Sequence, residues 1–347
     1  MWIQRNEFAR EQTHFDLIPT GHTSYNDGVH FMFASDDQLA FSVGNGGSSG
    51  GEKITTAVYR DIGWYHILIS YNTNTSVPAL SRHRLSVNGL EISDTSAYTA
   101  PPDNQSCIGS GTGNADLRIG RTDHSGIPYP PNAYFAQACY LEGKSFQAGD
   151  YAITDFLDTF TFGTNGSEFV PKADADIDAL ASTVGGNSFC LDFANSSDLG
   201  NDISSNNNDF TPTSMAAANQ TGSSPSSAFA TWNPLRVNTQ TQTFAEGNLR
   251  FSSTQTSTNP AATGNYGVSS GKFYWEVFVV AQGNTSNMLG ICDVAAGLET
   301  DTSALYTSAL MYSYEFAGTK RNNNSSSSYG DSITLIVTGK QSTGISF

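Results

Sequence analysis

The segment Arg121-Thr122-Asp123-His124-Ser125-Gly126-Ile127-Pro128-Tyr129-Pro130-Pro131-Asn132-Ala133-Tyr134 collects the residue types that recognise a polyhydroxylated ligand. The rings of Tyr129 and Tyr134 offer flat faces for stacking on a sugar or packing on a neighbouring subunit. Asp123, His124 and Asn132 supply the hydrogen-bonding groups that hydroxyls need. The same prolines also suit a stiff connector that binds nothing. Both readings stand at this level.

Catalytic chemistry is poorly represented. A retaining glycosidase needs two carboxyl groups about 5–5.5 Å apart. A strand supplies such a pair from positions two residues apart, because those share a face. The chain has a single Glu-x-Asp, Glu299-Thr300-Asp301, followed by Thr302, Ser303 and Ala304 rather than by a third acid. The run Lys272–Val280 carries one acid, Glu276. A polysaccharide-cleaving alternative would rest on Glu276, Glu299 and Asp301. No Walker loop and no His-Glu-x-x-His motif is present. The glycine-rich run Gly44–Gly51 could cradle a phosphate, but no convincing helix follows it, and a mobile hairpin loop is expected. His14, His22, His30, His66, His83 and His124 show no ligand spacing on an evident element. His66, inside an apolar run, reads as a packed residue.

Strands must hold these residues. Trp64–Tyr71 is apolar on both faces, with Tyr65, Ile67, Ile69 and Tyr71 on one and Trp64, His66 and Leu68 on the other. That predicts a central strand covered on each side. In Arg84–Ile92, Asn88-Gly89 separates two alternating runs, a hairpin signal because both turn residues need positive φ. Asp116–Gly120 and Tyr134–Gly143 predict two strands flanking the 121–134 segment, which places that segment at a rim. Phe189–Phe193, Lys272–Val280 and Ile333–Val337 predict further strands, and Ile177–Ser182 a short helix. Asn195–Asn208 and Gln220–Ser227 are small and polar, as loops or linkers are. The fold class is all-β: antiparallel sandwiches over 1–160 and 246–347, joined by an Asn/Ser-rich connector over 161–245 with a strand near 189–193.

Composition agrees. Only 14% of the 347 residues are charged and 12% are aromatic, which suits strands joined by turn-rich loops. The net charge of -16 opposes binding to phosphate backbones, so no nucleic acid is expected as a partner. No run of about 20 apolar residues predicts membrane insertion. Met1–Arg5 does not read as the start of a secretory signal. Cys107, Cys139, Cys190 and Cys292 form no Cys-x-x-Cys pair, which argues against a zinc site. Cys139 and Cys190 lie in apolar runs and are expected as buried free thiols.

Gly63-Trp64-Tyr65-His66, Leu85-Ser86-Val87-Asn88-Gly89, Ile119-Gly120-Arg121 and Phe135–Gly143, in that order, resemble the laminin G-like branch of the concanavalin A-like superfamily. Leu191–Asp202, Asn208-Asp209-Phe210-Thr211-Pro212, Phe229-Ala230-Thr231, Asn233-Pro234-Leu235 and Gly271–Glu276 resemble a family seen in bacteriophages. The last of these is similar to the opening of a SPRY-type domain. The resemblance implies two concanavalin A-like jelly-roll sandwiches in a non-enzymatic virion protein of a tail fibre, baseplate or head decoration. It implies a host surface glycan or receptor and other virion proteins as partners, a homo-oligomer, and no cofactor. Calcium held by loop oxygens enters by analogy only, with Asp198, Asp202 and Asp209 in the Asn-rich loop. A secreted or surface lectin-like protein and a polysaccharide-cleaving hydrolase are the alternatives. Met1–Arg5 resembles an interior strand of a laminin G-like domain, and the SPRY-like part stops after Tyr329–Ile333. Strands are therefore expected to be missing at both ends.

Overall fold

Asn88 and Gly89 both take the left-handed backbone region, at φ 49° and 76°, in the computed structural model of the chain. They join His83–Val87 to Leu90–Glu91, the hairpin that an asparagine–glycine pair predicts. The structure describes residues 1–19, 28–45, 48–104, 115–121, 130–146, 151–162, 166–182, 185–227, 230–238, 242–254, 260–281, 286–293, 295, 307–330 and 345–346. They fall into two units, Met1–Ala228 and Phe229–Phe347.

The first unit contains β1 (Trp2–Arg5), β2 (Gln12–Pro19), β3 (Gly28–Phe33), β4 (Gln38–Asn45), β5 (Ser48–Val58), β6 (Trp64–Tyr71), β7 (His83–Val87), β8 (Leu90–Glu91), β9 (Thr95–Thr99), β10 (Ala115–Ile119), β11 (Ala133–Ala136), β12 (Ala138–Tyr140), β13 (Leu157–Phe162), β14 (Gly166–Pro171), α1 (Asp174–Ser182) and β15 (Phe189–Leu191). Antiparallel pairing builds a five-stranded sheet, β11-β1-β6-β7-β8, and a six-stranded sheet, β10-β2-β3-β4-β5-β9. The two form a sandwich. Ile3, Tyr65, Ile67, Leu85 and Val87 from the first sheet meet Phe31, Phe33 and Leu39 from the second in one buried cluster. β6 lies between two neighbours, as its two-sided apolar sequence predicts, and His66 packs against Trp2 with ring centroids 4.9 Å apart. Helix α1 buries Ile177 and Ala181, four residues apart on one face.

A charged network sits in this core. The Arg5 guanidinium is fully buried and donates to Asp37 Oδ1 at 2.8 Å, Tyr59 O at 2.7 Å and Gln12 Oε1 at 3.3 Å. It also stands 4.2 Å from the centre of the Phe33 ring. Each of the three guanidinium nitrogens thus meets an acceptor, and a ring covers its face, which offsets the cost of burying the cation.

Three expectations need correction. The first is the run Gly44–Gly51, whose described residues, 44–45 and 48–51, belong to the paired strands of a hairpin rather than to its loop: Gly51 pairs with Val43 and Ser49 with Gly44. A side chain at Gly51 would stand 2.7 Å from the His83 ring and 2.9 Å from Pro101, so glycine serves close packing there. The second is the single strand over Tyr134–Gly143, which is two. Gln137 takes φ 44°, and β11 and β12 enter different sheets on either side of it. Its side-chain amide donates to Lys172 O at 2.7 Å and holds the bend.

The third correction concerns the cysteines. Cys139 on β12 and Cys190 on β15 stand directly opposite each other and are joined in a disulfide, not left as free thiols. Their apolar neighbours pointed to burial, and burial is what Cys190 shows, at 0% exposure. Only the strand register could bring their sulfurs together. The bond closes a loop with a sequence separation of 51. Loop-closure entropy then predicts that replacing both cysteines by alanine lowers stability by about 4 kcal/mol. Thermal unfolding with and without reductant, alongside peptide mapping of unreduced protein, measures this.

The second unit contains β16 (Trp232–Val237), β17 (Thr243–Ala245), β18 (Arg250–Ser252), β19 (Ala262–Gly264), β20 (Glu276–Val277), β21 (Met288–Cys292), β22 (Met311–Glu315), β23 (Thr319–Asn322), β24 (Ser325–Ser328) and β25 (Ile345–Ser346). β21-β22-β23-β24 form an antiparallel sheet, and β16–β19, β17–β18 and β20–β25 form pairs. The strand predicted over Lys272–Val280 shrinks to Glu276–Val277, whose ladder partners among the described residues are Ser346 and Ile345. Phe273 and Tyr274 beside it are exposed. The strand predicted at Ile333–Val337 lies outside the described residues. Among the described residues no helix is long and apolar enough to cross a membrane.

Candidate functional site

β10 and β11 are outer strands of the two different sheets, so the connection between them leaves one sheet and rejoins the other. Both feet of this crossing are fixed. Gly120 N donates to His14 O and Asn6 N donates to Asn132 O, each at 2.9 Å. Phe135 and Pro131 both lie within 4 Å of the position a Gly120 side chain would take, so the feet close on each other. Asn132 is exposed. Tyr134, between the core-packed Ala133 and Phe135, is half-buried and turned to the outer face. Asp123, His124 and Tyr129 lie outside the described residues.

At the β10 foot the structure assembles a charged row that sequence reading missed. Arg118, Asp16 and His30 are directly opposite one another across β10, β2 and β3. His30 Nδ1 stands 2.6 Å from Asp16 Oδ1, and both side chains are fully buried. Arg118 reaches Asp16 Oδ2 at 4.0 Å and Asp116 Oδ2 at 3.1 Å, and the Asp116 side chain is 49% exposed. The row runs from solvent to interior and orients a guanidinium beside the loop. Arg118, Asp16 and His30 come from three separate segments of sequence, and only the register aligns them.

Among the described residues, Asp16 and Asp116 both contact Arg118, and the other acid of this row is remote from them. The row continues through Ser42 to Glu52, which places Glu52 three strands from Asp16. At about 4.8 Å per strand that is roughly 14 Å, beyond the span of about 9.5 Å reached by inverting pairs. Glu276 is exposed and accepts a hydrogen bond from the Tyr274 hydroxyl at 2.8 Å. Glu299 and Asp301 lie outside the described residues. Residues 46–50 spell Gly-x-Ser-x-Gly, but Ser48 opens β5 opposite Asn45 in a hairpin, not the strand-to-helix elbow that exposes a nucleophile.

The Asn-rich loop uses its acids internally. Asp202 is buried and its Oδ1 accepts from Cys190 N at 2.8 Å and Ser204 N at 2.9 Å. Its Oδ2 accepts from Ser204 Oγ at 2.8 Å and Asn208 N at 2.9 Å. Asp209 accepts from Asp202 N, and Asp198 from Gly200 N. These oxygens face N–H and O–H donors and tie the loop to β15. Among the described residues no cluster of His, Cys, Asp or Glu has the grouping of a metal site.

A second exposed surface also escaped sequence reading. The open face of the β21–β24 sheet carries Tyr312, Tyr314 and Lys320, with Tyr329 just beyond β24. Tyr312 and Tyr314 sit two residues apart on β22, and the period of a strand was the available signal.

Residues 1–127 match the laminin G family model described as the concanavalin A-like lectin/glucanases superfamily. No curated protein and no solved structure matches the chain. The chain is an all-β sandwich protein that over residues 1–127 is similar to the concanavalin A-like lectins and glucanases.

Proposed function

We propose that this protein is a non-enzymatic carbohydrate-binding protein on the surface of a bacteriophage particle, with a laminin G-like first unit and a SPRY-like second one. The observation that carries the binding reading is the crossing loop with both feet pinned between the outer strands of the sandwich. A rigid scaffold that presents a loop rich in Tyr, Asp, His and Asn is a common way to build a glycan site. Similarity of residues 1–127 to lectins and glucanases supports carbohydrate as the ligand class. The resemblance of 191–276 to phage proteins supports the particle. The Cys139–Cys190 disulfide supports work outside a reducing cytoplasm.

Three measurements test this. Mass spectrometry of purified particles should detect the chain; consistent absence would remove the virion reading. Binding of the purified protein to host surface polysaccharide should weaken roughly threefold to tenfold in Asn132→Ala or Tyr129→Ala, the loss of one hydrogen bond or one stacked ring. Release of reducing ends, abolished by Glu276→Gln, would instead make it a hydrolase.

A further inference from the structure

We infer that the open face of the β21–β24 sheet is a separate binding site for acidic polysaccharide. This site stands independently of the crossing loop. The strand registers place Leu289 opposite Tyr314, Tyr314 opposite Lys320 and Lys320 opposite Ser327 in one row. Ile291 and Tyr312 form the next row on the same face. These are not core residues: Tyr312 is 62% exposed, Ile291 61% and Tyr329 69%. Together they border a shallow concavity that is open to solvent.

The chemistry of this face points to a charged sugar. Tyr314 and Tyr329 meet edge to face, with ring centroids 6.3 Å apart, which fixes two aromatic planes at different tilts. Such planes stack on the C–H faces of pyranose rings, and the neighbouring Ser325 and Ser327 offer partners for hydroxyls, while the Asn322 amide nitrogen donates to Ala309 O and Met311 O. Lys320 Nζ stands 5.4 Å from the Tyr329 ring centre, so a positive charge sits at the edge of the stacking surface. On the opposite face Glu315 binds Arg321 at 2.8 and 3.0 Å, so that arginine has its own carboxylate. Lys320 has no such partner among the described residues. Among the described residues no Asp or Glu lines the concavity, although the chain carries a net charge of -16. A cationic, aromatic, hydroxyl-rich face on an acidic protein complements a uronic acid carboxylate or a sulfate ester.

The test uses the full chain and three probes: polygalacturonate, dextran sulfate and neutral dextran. The protein should bind a polyanion more tightly than dextran, despite its own negative charge. Lys320→Ala should weaken polyanion binding about fivefold and leave dextran unchanged. Tyr312→Ala and Tyr329→Ala should weaken it about tenfold, while Asn132→Ala leaves it intact. Preference for polygalacturonate or for dextran sulfate tells carboxylate from sulfate. These side chains are exposed, so unchanged circular dichroism and unfolding midpoints confirm folding of the variants. Equal affinity for dextran, or polyanion binding insensitive to Lys320→Ala, overturns the inference without touching the crossing-loop site. A dimer that dissociates in Tyr312→Ala also overturns it, by assigning the face to a second copy of the chain.

Discussion

Asp37→Ala is expected to destabilise the first unit by about 3–5 kcal/mol, because it leaves a buried guanidinium without its counter-charge. Arg5 and Asp37 both have fully buried side chains, 2.8 Å apart. Asp37 also accepts from Ala9 N at 2.9 Å and from Arg60 Nε at 2.7 Å. The three donors come from separated segments, so the carboxylate pins the end of β1, the turn after it and the segment just beyond β5. Arg60 is 53% exposed, and its pair with Asp37 is worth less; Arg60→Ala should cost under about 1 kcal/mol. Asp37 sits at φ 65°, a conformation asparagine tolerates. Asp37→Asn should therefore fall between the two. Urea unfolding followed by the fluorescence of Trp2 and Trp64 reads all three variants. A cost for Asp37→Ala no larger than that for Arg60→Ala would show that the network is not a buried hub.

Acid should weaken the same unit well before its carboxylates titrate. His14, His66 and His83 are all buried in the sandwich. Burial pushes His14 and His83 down to about 3, the charge of Lys53 adding to the effect at His83. Burial also holds His66 well below the ordinary histidine value. The folded state thus keeps these rings neutral, while the unfolded chain takes up protons near pH 6.5. Their contribution to stability is intact above that pH. It is lost progressively as pH falls from about 6.5 toward 3, because protonation favours the unfolded state. Between pH 7.5 and 5, His14 and His83 should each remove about 2 kcal/mol, roughly 4 kcal/mol together. His83 allows a clean control. Both its ring nitrogens are buried without a hydrogen-bond partner, and Phe41 and Tyr71 lie 5.0 and 5.3 Å from it. His83→Phe should leave stability at pH 7.5 unchanged or higher and shrink the loss at pH 5 by about 2 kcal/mol. Equal urea midpoints at pH 7.5 and pH 5 in the parent protein would refute the assignment.

Local signals along the chain already determined much of this protein. Alternating aromatic and β-branched residues mark β6 and β7. Asn88-Gly89 marks their hairpin neighbour, and strand signals on either side of residues 121–132 mark β10 and β11. Each of these is a property of a few consecutive residues, set by side-chain period and by the φ values that asparagine and glycine accept. The tertiary structure alone decided what register decides. It joined Cys139 to Cys190 across two strands that are distant in sequence. It aligned Arg118, Asp16 and His30 from three segments and buried Arg5 against Asp37. It also left Tyr312 and Tyr329 exposed on the β21–β24 sheet and just beyond it. A strand's sequence shows which residues share a face, but which strand lies beside it, and what covers that face, depends on contacts between residues far apart along the chain.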